Sequence, residues 1–234
     1  MSSPYVRLIV FDLDGTLIDS RADLASSVNA MLAEIGRPPL AEATVTDMVG
    51  EGARVLVGRA LRAAGVDPAA CPDALQRFLA LYGGRLLDHT RPYEGVPEML
   101  AALHEGAPLA VLTNKPASPT LRILAGLGLD RFFAAVIGGD APYPRKPDPG
   151  ALLHLMDRFQ AAPDETLLVG DSRIDLQTAR NAGARVCLAA YGYGFRFDPA
   201  ELVGLQVAAS PRDIIACSAA TSSEASRERG APPR

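Results

Sequence analysis

The chain has 234 residues and a mass of 24.6 kDa, more than one average domain and less than two, which fits a single core carrying one sizeable insertion. With 48% hydrophobic and 21% charged residues it excludes chain-wide disorder and any need for disulfide or metal staples. The 23 Lys+Arg against 27 Asp+Glu, net −4, give no basic excess for a phosphate backbone, so nucleic acid is not an expected partner.

Cys71, Cys187 and Cys217 are widely spaced, without a CxxC pair, and read as reduced thiols. The apolar run near the start, Leu8 to Phe11, is too short for a signal segment or a membrane span. A cytoplasmic monomer or homodimer away from membranes is expected.

The first predicted strand, Arg7 to Phe11, stops abruptly at Asp12-Leu13-Asp14-Gly15-Thr16. Similar runs at 108–113, 134–137, 166–169 and 185–189 each end in turn residues and predict four more strands of one parallel sheet. Between them fall helices over 97–104, from a Ser118-Pro119 start to Gly126, from Asp148-Pro149 to about Gln160, and from Ser172 to Gly183. This alternation specifies an α/β fold, a Rossmann-like doubly wound parallel sheet.

Residues 20–90 break the alternation. Leu24, Val28, Met31, Leu32 and Ile35 keep helical spacing up to Gly36; Val55, Leu56, Ala60 and Ala63 repeat it, and Leu75, Phe78, Leu79 and Tyr82 predict a third helix. The expectation is a helical cap over 20–90 inserted in a core of 1–19 and 91–217, entered and left through Ile18–Ser20 and Thr90–Tyr93, with a disordered tail over 218–234.

Asp12 and Asp14 at a strand end repel each other unless a cation or a proton lies between them; alone, such a pair is as well read as a solvated turn. Asp171, closing another strand in Gly170-Asp171-Ser172-Arg173-Ile174-Asp175, would offer a further carboxylate on the same edge. Oxygen donors of this kind suit a hard divalent ion, magnesium over zinc. Asp175 sits at the third helical position of a capping box and serves equally well as a cap or as support for the metal. Thr113-Asn114 follows a third strand and could cradle phosphate oxygens. Lys146 stands just before a helix start, where its charge could offset phosphate and the acids, whereas Lys115 and Arg145 read as solvated. His89, His104 and His154 avoid strand ends and read as surface or satisfied groups.

Four segments in this order, Asp12-x-Asp14-Gly15-Thr16, Thr113-Asn114, Lys146-Pro147 and Gly170-Asp171-Ser172-x-x-Asp175, resemble the haloacid dehalogenase-like hydrolase superfamily in its helical-cap form, over about residues 7–210. Within it, VLTNKP, VIGGD, KPDP and YGYG resemble the bacterial phosphoglycolate phosphatase group.

The resemblance implies a Mg2+-dependent phosphomonoesterase working through an aspartyl-phosphate on a small phosphorylated metabolite, with 2-phosphoglycolate as substrate. Asp12 would be the nucleophile, and Asp14 the proton donor and acceptor. Metal ligation would fall to Asp12, the Asp14 carbonyl and Asp171, supported by Asp175. Phosphoryl contacts would come from Thr113, Asn114 and Lys146, and substrate contacts also from Thr16 and the loop Gly50-Glu51-Gly52-Ala53-Arg54, where Arg54 is either a carboxylate partner or a solvated side chain. Phosphatases of sugar phosphates, nucleotides or pyrophosphate, and a β-phosphoglucomutase-like phosphomutase, are the alternatives.

Overall fold

Leu8–Phe11 forms β1, buried at every position, as a strand covered on both faces requires. The chain is described here from a computed structural model over residues 6–219. After β1 come β2 (Ile18–Asp19), α1 (Arg21–Glu34), α2 (Glu42–Thr46), α3 (Ala53–Ala63), α4 (Ala74–Gly83), β3 (Arg91–Pro92) and α5 (Val96–His104). Then follow β4 (Leu109–Leu112), α6 (Ala117–Gly126), β5 (Phe133–Ile137), α7 (Gly150–Phe159), β6 (Thr166–Gly170), α8 (Arg173–Ala182), β7 (Arg185–Ala189), β8 (Gln206–Ala208) and α9 (Pro211–Ala219).

The main sheet runs β5-β4-β1-β6-β7-β8, with every pairing parallel. Alternate residues of its strands serve two cores. Ile9, Phe11, Val111, Leu167 and Val169 pack on one side with α5, α6 and α9. Leu8, Val10, Ala110, Leu112 and Leu168 pack on the other with α7 and α8. That is the α/β doubly wound arrangement expected. β1 lies between β4 and β6, which the chain reaches in opposite directions across the sheet. The carboxyl end of β1 is therefore the switch point where such sheets form a crevice.

Helices α1 to α4 lie between β2 and β3, and α1 packs on α2 and α4. The first core continues without a break into Leu24, Val28, Met31, Leu56 and Phe78 of these helices. The two connecting segments pair with each other: Ile18 sits opposite Pro92 and Asp19 opposite Arg91 in a short antiparallel ladder. Asp23, fully buried at the start of α1, locks this junction by accepting hydrogen bonds from the backbone amides of His89 and Thr90 and from Thr90 Oγ1.

Several expectations need correction. The sheet has a sixth strand, β8, at its edge, and the five-residue helix α2 was not anticipated. α6 starts at Ala117 behind Pro116, not at Ser118-Pro119, because the Thr120 hydroxyl and amide both bond Pro116 O and carry the helix start two residues back. Ser218 and Ala219, assigned to the tail, belong to α9, whose Ile214 and Cys217 are buried; the rest of the expected tail lies outside the described residues. All three cysteines are free. Among the described residues no helix is long and apolar enough to cross a membrane.

Candidate active site

Three parallel strands end side by side, and each delivers one polar residue to the crevice: Asp12 after β1, Thr113 after β4 and Asp171 after β6. One carboxylate oxygen each from Asp12, Asp171 and Asp175 lie within 4.8 Å of one another. Asp171 is held from two sides, by the Gly194 amide at 2.7 Å and by Thr16 Oγ1 at 3.5 Å. Close packing of backbone makes this possible. Gly15 has φ +85°, and a Cβ there would stand 2.0 Å from Asp171 Oδ2. A Cβ on Gly192 would stand 2.2 Å from Gly15 O. Glycine is thus required at both places by contact, and at Gly15 also by conformation.

Asp175 caps α8 and also faces the acid cluster. Its Oδ2 accepts from the Ser172 amide at 3.1 Å and the Ser172 hydroxyl at 2.6 Å, while the Ser172 oxygen caps the Asp175 amide, completing the capping box. Its Oδ1 accepts from Lys146 Nζ at 2.6 Å. The same ammonium stands 3.0 Å from Asp12 Oδ1, so one buried lysine bridges the acid ending β1 and the acid opening α8.

The electrostatics follow from this crowding. Burial lifts the Asp12 carboxyl from its ordinary 3.8 to about 6, with Lys146 opposing the rise and Asp175 adding to it. Burial, then Asp175 and Asp12, hold Asp171 well above the carboxylate range. For Lys146, burial disfavours the charge, but Asp12 and Asp175 outweigh it and raise its pKa. With all three carboxylates ionised, the cluster would carry a formal charge of −2 against its one ammonium, and burial and mutual repulsion resist that state. A divalent cation cancels that charge, and an all-oxygen donor set suits a hard one.

Asp14 turns away from this cluster. Its carboxylate accepts from Lys115 Nζ at 2.9 and 2.8 Å and from the Ser20 hydroxyl at 2.6 Å. Lys115, expected to be solvated, is only 7% exposed; pairing with Asp14 compensates the cost of burying it.

A cavity of about 50 Å³ lies between these strand ends and the inserted helices. Asp12, Asp14, Thr113, Asn114 and Lys115 form its polar side, and Leu24, Leu56 and Phe78 contribute apolar wall. Of the 50–54 loop, Gly50, Gly52 and Ala53 line the cavity. Glu51 and Arg54 do not: Glu51 is exposed and paired with Arg59, and Arg54 lies exposed on the outer side of α3, so the solvated reading of Arg54 is the one the structure favours. Asn114 faces the cavity, but its amide donates to Gly50 O at 3.0 Å and Lys146 O at 3.1 Å, tying the inserted loop to the strand ends instead of offering its N–H groups to an anion. Thr16 is fully buried against Asp171 and does not line the cavity.

Residues missed by sequence reasoning are Lys115, Tyr193, whose hydroxyl lies 3.2 Å from Ser20 Oγ, and Gly194. The two Tyr-Gly pairs at 191–194 were the available signal for the latter two.

Residues 9–189 match the family described as haloacid dehalogenase-like hydrolase. The chain is 45% identical over 192 residues to a phosphoglycolate phosphatase of Pseudomonas putida, covering 80% of this chain and 70% of that one. It is 40% identical over 218 residues to phosphoglycolate phosphatase 1 of Pseudomonas aeruginosa, covering 90% and 79%. Among solved structures, a predicted phosphoglycolate phosphatase from Haemophilus somnus superposes with a TM-score of 0.86 at 34% identity, over 92% of this chain and 99% of that one. A haloacid dehalogenase-like family hydrolase from Streptococcus pneumoniae shares the fold, with a TM-score of 0.78 at 22% identity over 91% and 98%. By its sequence match and the extent of these likenesses, the chain belongs to the haloacid dehalogenase-like hydrolase family and is a phosphatase within it.

Proposed function

We propose that this phosphatase hydrolyses 2-phosphoglycolate to glycolate and phosphate, through an aspartyl-phosphate on Asp12 and with Mg2+ as its metal. The observation that carries the reading is the buried cluster of Asp12, Asp171, Asp175 and Lys146, set beside the cavity between the strand ends and the inserted helices. The substrate assignment is supported by the names of the Pseudomonas relatives.

Asp12, Asp171 and the Asp14 carbonyl would hold the ion. Asp175 supports it from behind, because its own oxygens are spoken for by Ser172 and Lys146. When bound, Mg2+ supplies charge neutralisation and orientation for the phosphoryl oxygens.

Asp12 attacks phosphorus in line, the phosphorus–oxygen bond to the leaving group breaks, and Asp14, which must first take up a proton and so loosen its ion pair with Lys115, gives that proton to the departing alkoxide. Asp14 then takes a proton from the water that attacks the aspartyl-phosphate, releasing phosphate and restoring Asp12. Lys146 and the Thr113 hydroxyl stabilise the transferring oxygens, a task of positioning and charge. The inserted helices act as a cap that closes the cavity over the leaving group.

A panel of phosphomonoesters assayed for released phosphate tests the reading. The expected result is highest kcat/KM on 2-phosphoglycolate with Mg2+ and no turnover in EDTA. Preference for a sugar phosphate would overturn the substrate, and turnover in EDTA would overturn the metal.

A further inference from the structure

Lys115 and Tyr82 approach the cavity from different parts of the chain, one from the turn after β4 and the other from α4. Lys115 Nζ lies 4.7 Å from the centre of the Tyr82 ring. Tyr82 is 3% exposed, and the one polar group facing its hydroxyl is the Lys115 ammonium, which can only donate to the phenol oxygen, so the phenol proton is left without an acceptor. A buried donor without an acceptor is costly, and native structures rarely keep one without a use. The neighbouring wall is apolar, with Leu24, Leu56, Phe78 and Leu79. Two buried donors therefore meet in an otherwise greasy corner. The ammonium also has more donor capacity than its contact with Asp14 consumes.

We infer that Lys115 and Tyr82 form a carboxylate-binding subsite that selects a phosphoester whose leaving group is a short hydroxy acid. The inference rests on the reading that Asp12 and Asp14 handle the phosphoryl group. Because Lys115 touches Asp14, the residue placed at the leaving oxygen, an anion bound by Lys115 must sit within a few bonds of that oxygen. A carboxylate has two acceptor oxygens, enough to take one bond from the ammonium and one from the phenol. An uncharged leaving group of the same shape would lose the charge-assisted part of these contacts, and discrimination against it follows. The charge-matching role that the sequence offered to Arg54 thus falls to a lysine on the other side of the cavity.

The test compares 2-phosphoglycolate with its carboxamide analogue, equal in shape but uncharged at that end, as substrates of the wild type and of Lys115→Met, Lys115→Arg and Tyr82→Phe. In parallel, glycolate and glycolamide are compared as inhibitors of hydrolysis of whichever ester the wild type cleaves best. The wild type should favour the acid in both comparisons by roughly tenfold to a hundredfold, the factor expected of a charge-assisted bond. In Lys115→Met the preference should collapse to within about threefold; Lys115→Arg should keep part of it, and Tyr82→Phe should lower it mainly through KM.

A purely structural role would slow acid and amide alike and leave their ratio at the wild-type value, which would overturn the subsite. So would a wild type indifferent to the carboxylate. If the phosphoglycolate reading alone is wrong, another ester is cleaved best, yet glycolate still outcompetes glycolamide in a Lys115-dependent way. Should Lys115→Met fail to fold, Lys115→Arg and Tyr82→Phe carry the comparison.

Discussion

Lys146 Nζ lies 3.0 Å from Asp12 Oδ1, so the carboxylate at the end of β1 meets its buried counter-charge from a segment that approaches across the crevice. The same ammonium holds Asp175 at 2.6 Å, and removing it would leave three buried acids without a cation. Lys146→Met should therefore destabilise the metal-free protein at pH 7 by about 3–5 kcal/mol, the usual cost of breaking a buried pair. Lowering the pH should recover part of the loss as the acids protonate. Denaturant melts in EDTA at two pH values check this; a variant as stable as the wild type at pH 7 would contradict it.

The acid titrations set a second expectation. Asp12 titrates at about 6 in the folded protein against an ordinary 3.8, so the folded state binds its proton more tightly than the unfolded chain does. Stability from that proton is complete below the ordinary value and is lost as pH rises through about 6. In EDTA, Asp12→Asn should gain on the wild type by about 2–3 kcal/mol between pH 4 and pH 7. Chemical melts across that range test it, and parallel stability curves would contradict it.

Gly15 allows the Asp12–Asp14 turn to pass against Asp171. In Gly15→Ala the new methyl group must displace the Asp171 carboxylate, in a backbone conformation that alanine resists. Phosphate release should fall by about a hundredfold or more, in the range seen on losing one electrostatic contact in an active site. Steady-state kinetics decide the matter, and activity within fivefold of the wild type would show that Asp171 needs no such fit.

Asp23 ties α1 to the segment leading into β3 through the His89 and Thr90 amides and the Thr90 hydroxyl. Asp23→Ala strands those donors in a buried place, and stability should drop by about 2–4 kcal/mol. A loss below about 0.5 kcal/mol in a urea melt would contradict that account.

Much of the site is legible in the sequence because strand ends are. An apolar run that stops at an acid places that acid at a sheet edge, and Asp12 and Asp171 are both found there. The capping box at Ser172 and Asp175 is equally local and equally readable. Lys115 is not readable, because a lysine after a strand looks like any turn lysine until Asp14 and Tyr82, distant in the chain, bury it. Arg54 misleads for the converse reason: helical spacing does not tell which side of α3 faces the cavity, and this arginine is on the other one. β8 escapes notice because Gln206, Val207 and Ala208 make too short a run to show alternation, and only the exposed edge of β7 makes them a strand.

The measurement that tests the central claim most directly is phosphate release by Asp12→Asn from 2-phosphoglycolate in saturating Mg2+, with a thermal melt alongside. The account predicts turnover at least about ten-thousandfold below the wild type in a protein that melts no lower, as loss of a nucleophile demands. Turnover within tenfold of the wild type would mean that the phosphoryl group never passes through Asp12.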